Sequence, residues 1–142
     1  MPVGYLHCIG NPRTDWMYQT EPDAGLGGRA LIYPRGKVLG GSSSINGMIY
    51  MRGQAADYDG WVQGGATGWG WDAVLPYFKR SEDHHSGDSD FHGSGGEIRV
   101  EKQRLRWEIL EAFQRAAAEY GVAPGADFNT GDNAGSSLFD VT

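Results

Sequence analysis

Residues 35–53 read Arg-Gly-Lys-Val-Leu-Gly-Gly-Ser-Ser-Ser-Ile-Asn-Gly-Met-Ile-Tyr-Met-Arg-Gly, and their types converge on one kind of chemistry. Gly36, Gly40 and Gly41 permit positive φ and a close backbone approach to a ligand. Ser42, Ser43 or Ser44 can cap a helix whose first N–H groups stay unspent at the positive end of its dipole. Asn46 can both donate and accept. Together they set backbone N–H groups and one side-chain amide around a point that suits an anion or an electron-rich ring. Lys37 follows the first glycine of the run, which is not the order of a Walker A loop. A Gly-Gly-Ser-Ser-Ser run by itself is equally a flexible linker, but the β-branched and aromatic residues flanking it argue against one. Arg35 and Lys37 are open between a phosphate and acidic neighbours as partners.

A second group, His84, His85, Asp88, Asp90 and His92, falls within nine residues and offers donor types that suit zinc or another divalent ion. Gly87, Gly93 and Gly95 leave its spacing unfixed, so the stretch 83–96 reads first as a solvated loop. A small non-catalytic metal-binding module using the His84–His92 loop is the alternative function.

The elements that must position these groups are short. The 142 residues suffice for one modest core, and 23 are glycine, about twice what a usage of ~7% would give. Turn chemistry dominates 1–35, with short strands expected around Trp16–Thr20 and over 30–34, ending at Pro34. Short helices are predicted at about 43–50, 55–63, 71–82 and 106–120. In the third, Trp71, Val74, Leu75 and Phe78 share a face, Asp72 suits the N-cap, and Pro76 would be its fourth residue. In the last, Trp107, Leu110, Phe113, Ala117 and Tyr120 share a face, and Gly121 is the stop. Ile98 and Val100 alternate with charges as a half-buried strand, and 136–142 begins another. Gly25-Leu26-Gly27-Gly28 has no strand before it and reads as a turn.

Twelve Lys and Arg face 18 Asp and Glu, a net charge of -6 with no basic block, which argues against nucleic acid as a partner. A lone Cys8 excludes an internal disulfide and gives no sign of an oxidising compartment. No apolar run can span a bilayer, and a cytoplasmic location is expected, with peripheral membrane association open.

Beyond residues 35–48 the likeness extends to Tyr50-Met51-Arg52-Gly53, Asp57-Tyr58-Asp59, Gly68-Trp69-Gly70-Trp71-Asp72 and Leu75-Pro76-Tyr77-Phe78. With Gly10-Asn11-Pro12-Arg13-Thr14-Asp15-Trp16 upstream and Asp127-Phe128-Asn129 downstream, the chain resembles the glucose–methanol–choline (GMC) flavoprotein oxidoreductases, most nearly the choline dehydrogenase-like branch. That resemblance implies an α/β fold, here α+β and loop-rich, forming part of a Rossmann-like FAD-binding domain over 1–142. It implies oxidation of an alcohol CH–OH group, choline to betaine aldehyde in this branch, with hydride passing to FAD. Val38, Gly40, Gly41, Ser42, Asn46, Gly47, Met48 and Ile49 would then lie along the flavin. Ile45 stands where some members carry a histidine bonded to the flavin, so FAD is expected to be held non-covalently. The family's Gly-x-Gly-x-x-Gly unit and its C-terminal catalytic histidine have no counterpart in these residues. The chain therefore reads as a fragment, inactive alone, with the remainder of a GMC chain and a small alcohol as its partners.

Overall fold

In the computed structural model, residues 2–125, 127–131 and 133–142 are described, and helix and strand are mixed among many loops. The chain divides into two units, Met1–Met48 and Ile49–Thr142.

The first unit is held by hydrogen bonds more than by an apolar core. Pro2–His7 forms a 3-10 helix, and a turn follows in which Thr14 and Asp15 donate backbone N–H groups to the Asn11 carbonyl. Strands β1 (Tyr18–Gln19) and β2 (Ile32–Tyr33) pair antiparallel, Tyr18 opposite Tyr33 and Gln19 opposite Ile32. Pro34 ends β2, as its missing N–H requires. Ala24–Leu26 is a 3-10 turn whose N-cap Asp23 accepts from the Gly25 N–H at 2.6 Å, so the glycines at 25–28 are turn residues as expected. The organising group is Asp15, 1% exposed. Its carboxylate accepts from the backbone N–H of Gly10, Met17 and Arg35 at 2.9, 3.0 and 3.0 Å. The Gly10 and Met17 donors hold it below the usual carboxylate range against the opposing effect of burial, with Arg35 adding to them. Among large hydrophobics described in this unit, Ile45 alone is buried, at 4% exposed.

Among its described residues, the second unit has three helices and two strand pairs. Helix α1 (Ala55–Gln63) opens with a capping box between Gln54 and Asp57. Helix α2 (Trp71–Ser81) packs on α1 through Tyr58, whose ring meets those of Trp71 and Phe78. The N-cap of α2 is Gly70, not Asp72, because the Asp59 carboxylate takes the Trp71 N–H at 3.0 Å and starts the helix earlier. Asp72 becomes a first-turn acid that suits the dipole. Pro76 is accordingly the sixth helical residue, not the fourth, and leaves the Asp72 carbonyl without its helical donor.

Strand β3 (Ile49–Tyr50) pairs antiparallel with β6 (Asp140–Val141). Strand β4 (Glu82–His84) pairs in parallel with β5 (Ile98–Val100), so the stretch 83–96 begins as a strand, not as loop. Val100 is fully buried. Helix α3 (Glu108–Glu119) ends where the sequence places its stop: Gly121 has φ of 96°. Its N–H reaches the Ala118 carbonyl while the Val122 N–H reaches that of Ala117, a Schellman close. In the turn-rich stretch 124–135, apart from Ala126 and Asp132, which lie outside the described residues, Asn129 is buried and ties the stretch to β3.

Candidate functional site

The helix expected over 43–50 is absent. A single 3-10 turn spans Gly41–Ser44, and Ile49–Tyr50 is strand β3. The serines explain the difference. Ser42 Oγ accepts from the Gly36 N–H at 3.2 Å, Ser43 Oγ donates to the Gly40 carbonyl at 2.6 Å, and Ser44 Oγ donates to the Leu39 carbonyl at 2.8 Å. All three hydroxyls are committed to the loop's own backbone, and the N-cap is Gly40, with φ of 88° and no side-chain bond. Asn46 then closes an Asx turn by accepting from the Met48 N–H at 3.0 Å, and Met48 takes a left-handed φ of 61° that no helix could continue through.

The result is a closed loop. A Cβ on Gly36 would collide with the carbonyl of Gly41 and the nitrogen of Ser42, so only glycine permits this backbone contact. Lys37 N–H is anchored on the Thr14 carbonyl and Gly41 N–H on that of Val38. Among the described residues, the backbone N–H groups of Val38, Leu39, Gly40 and Ser42 have no acceptor in the protein. Val38, Gly40, Ser42 and Asn46 are exposed, and Gly41, Gly47 and Met48 are half-buried. Ile49, also exposed, opens the second unit. Ile45 is buried, 4% exposed. Lys37 lies over the Trp16 ring and Arg35 over Tyr33, so aromatic faces occupy both cations.

The histidines are not a solvated loop. His84 and His92 are buried and stacked, their rings 3.7 Å apart. His92 Nδ1 faces Glu82 at 3.1 Å and Nε2 faces Asp127 at 2.6 Å, and both bonds are made when the ring carries both protons. Glu82, fully buried, also accepts from Arg52 at 2.8 Å and from the Gly93 N–H at 3.0 Å. Arg52 donates further to the Phe91 carbonyl, and the Arg52 N–H donates to Asn129 Oδ1 at 2.8 Å. Asp127 is raised by desolvation but lowered more by His92 and the Asn129 N–H, and ends below its ordinary range. Burial pushes Tyr50 up.

Among the described residues, two triads, Glu82–His84–His92 and His84–His85–Asp140, bring donor atoms within 4.8 Å of one another. Most of these donor atoms are already engaged within the protein, however. Glu82 serves Arg52, His92 and Gly93. His84 Nδ1 accepts from the Ser86 N–H at 3.3 Å, which leaves the ring's proton on Nε2, directed at Asp140. Asp88 is taken by Ser94, and Asp90 is exposed. The metal-binding module is therefore not favoured. Sequence reasoning missed the Arg52–Glu82–His92 centre because Glu82 and Arg52 stand 30 residues apart and nothing local marks them. Gly93 and Gly96, where a Cβ would meet the backbone of Lys79 and Ser81, were the available signal.

The comparisons with known proteins agree on one family. Residues 6–142 match the sequence pattern of the GMC oxidoreductases. The oxygen-dependent choline dehydrogenase of Brucella anthropi is 47% identical over 129 residues, 91% of this chain and 24% of that protein. The crystal structure of pyridoxine 4-oxidase from Mesorbium loti superposes with a TM-score of 0.86 at 35% identity, covering 99% of this chain and 28% of that one. An FAD-dependent oxidoreductase from Chaetomium thermophilum follows, with a TM-score of 0.74 at 28% identity, over 93% of this chain and 27% of that one. The chain thus spans about a quarter of the length of the relatives it matches. Among the described residues no helix is long and apolar enough to cross a membrane. With the match running through nearly every residue, the chain belongs to the GMC oxidoreductase family of flavoproteins, and its loop-rich mixture of helix and strand is the fold of that family's FAD-binding region.

Proposed function

We propose that these 142 residues are part of the FAD-binding domain of a cytoplasmic oxidoreductase that acts on the CH–OH group of an alcohol, with choline oxidised to betaine aldehyde. The observation that carries this reading is the set of unspent N–H groups of Val38, Leu39, Gly40 and Ser42 on a loop closed by Gly36. The choline assignment draws on the Brucella anthropi relative. Val38, Gly40, Gly41, Ser42, Asn46, Gly47, Met48 and Ile49 would hold the isoalloxazine and ribityl portion of FAD. When bound, FAD supplies the two-electron acceptor for the alcohol's hydride. The chain's own part is electrostatic: fixed N–H dipoles and the free Nδ2 of Asn46 favour negative charge beside them at no cost in reorganisation. Ile45, alkyl and buried, offers no nucleophile, so FAD is held non-covalently. Removal of the hydroxyl proton falls to a base outside these residues, and the isolated chain is inactive.

The test puts this chain into the Brucella anthropi enzyme in place of the stretch it matches. The chimera should consume oxygen with choline and release all its flavin on acid precipitation, while the isolated chain does neither. Gly36→Ala should weaken FAD binding about tenfold, ~1.4 kcal/mol, by forcing the loop open. Flavin that stays with the precipitate would exclude the non-covalent assignment. An FAD-loaded chimera that leaves choline untouched would remove choline as substrate.

A further inference from the structure

Helix α3 carries an apolar face that the described residues of the second unit leave largely exposed. Ile109, Leu110, Phe113, Ala117 and Tyr120 fall on an arc of about 100° of the helix. Glu108, Glu111, Arg115 and Glu119 fall on the opposite side. The apolar side should be inside, yet Ile109 is 69%, Phe113 66% and Tyr120 91% exposed. None of the other helices or strands described packs broadly against α3.

We propose that the apolar face of α3 is the docking surface for the remaining polypeptide of a GMC flavoprotein, an apolar protein surface supplied by the three quarters of the relatives' length that this chain does not span. Charge decides against a membrane: an interfacial helix uses a basic polar face to meet anionic lipid, and this one carries three glutamates and a single arginine. The inference rests on family membership and not on the choline assignment.

The experiment reads side-chain accessibility rather than activity. In a Cys8→Ser background, Phe113→Cys and, on the charged side, Arg115→Cys are labelled with a maleimide and quantified by peptide mass spectrometry. Both should react freely in the isolated chain. In the chimera with the Brucella anthropi enzyme, Phe113→Cys should react roughly two orders of magnitude more slowly, as expected of a group exposed only on local opening, with Arg115→Cys unchanged. Equal labelling of Phe113→Cys in both settings, protection of both positions, or a chimera that does not fold would overturn the proposal. Protection that grows with concentration of the isolated chain would assign the face to a second copy, and protection by phosphatidylglycerol vesicles would assign it to a membrane; either replaces the proposal. A chimera that protects Phe113→Cys but does not oxidise choline would keep the docking surface and sink the choline reading.

Discussion

Asp15 and Glu82 are both buried carboxylates, and they are satisfied in opposite ways. Among the described residues, Asp15 has only backbone donors, from Gly10, Met17 and Arg35, and no cation. Glu82 has Arg52 and His92 as well as one backbone N–H. A carboxylate fed by amides shapes the chain near itself and fixes where Arg35 enters the loop that follows. A carboxylate fed by side chains joins segments far apart, here β4, the approach to α1 and the turn at Asn129. The first unit is thus organised by turns and the second by a charged centre.

The largest effect should come from breaking that centre. Glu82→Ala leaves the Arg52 guanidinium buried without a counter-charge and should cost about 3–5 kcal/mol, a large share of the ~5–15 kcal/mol that holds a typical domain. Urea unfolding followed by circular dichroism measures it. The double variant Arg52→Met with Glu82→Leu should recover much of the loss, because no unpaired charge then remains. If the single variant is as stable as the parent, the second unit is not organised as described.

Asp15→Asn comes next, and its mark is pH dependence. The folded carboxyl sits below its ordinary value, so its stabilisation is present above the unfolded pKa and is lost as pH falls through the folded one. Trp16 fluorescence between pH 7 and the acid limb should show the parent's first unit losing stability. The variant should be weaker at neutral pH and flatter toward acid. Asp127, also lowered, gives the second unit a parallel acid limb, which His92→Gln should shrink.

The smallest effect should be that of Arg99→Ala. Arg99 bonds Asp83 and Glu101 at 2.7 Å each, but it is 55% exposed. Water and salt screen such pairs, and no resolvable change is expected in urea unfolding at 0.15 M salt. A clear loss there would show that exposed pairs share the load assigned to the buried centre.

These two centres also mark the limit of what could be read in advance. Helices α1, α2 and α3 were legible because a 3.6-residue period is local, and β5 because alternation is. The stop at Gly121 and the end of β2 at Pro34 follow from single residues. The helix placed at 43–50 failed because serine hydroxyls compete for backbone carbonyls, which composition alone does not reveal. The glycines of 83–96 suggest freedom and so point to a solvated loop. Gly93 and Gly96 instead let the backbone press against α2 and β4 and bury His92. Residues 38–49 were identifiable by their likeness to a family, whereas their closure through Gly36 and Ser42 needed coordinates.

The fastenings of that closure share a property with a consequence for redox chemistry. From Gly36 to Ser44 the bonds run between amides, carbonyls and hydroxyls, and not one of them involves a group that titrates. The loop's internal hydrogen bonds are therefore insensitive to pH, whereas Asp15, which holds Arg35 at the loop's entry, is not. A ring that gains and loses negative charge on each turnover would meet the same fixed dipoles in every state, so any shift in its potential with pH would have to come from outside this loop.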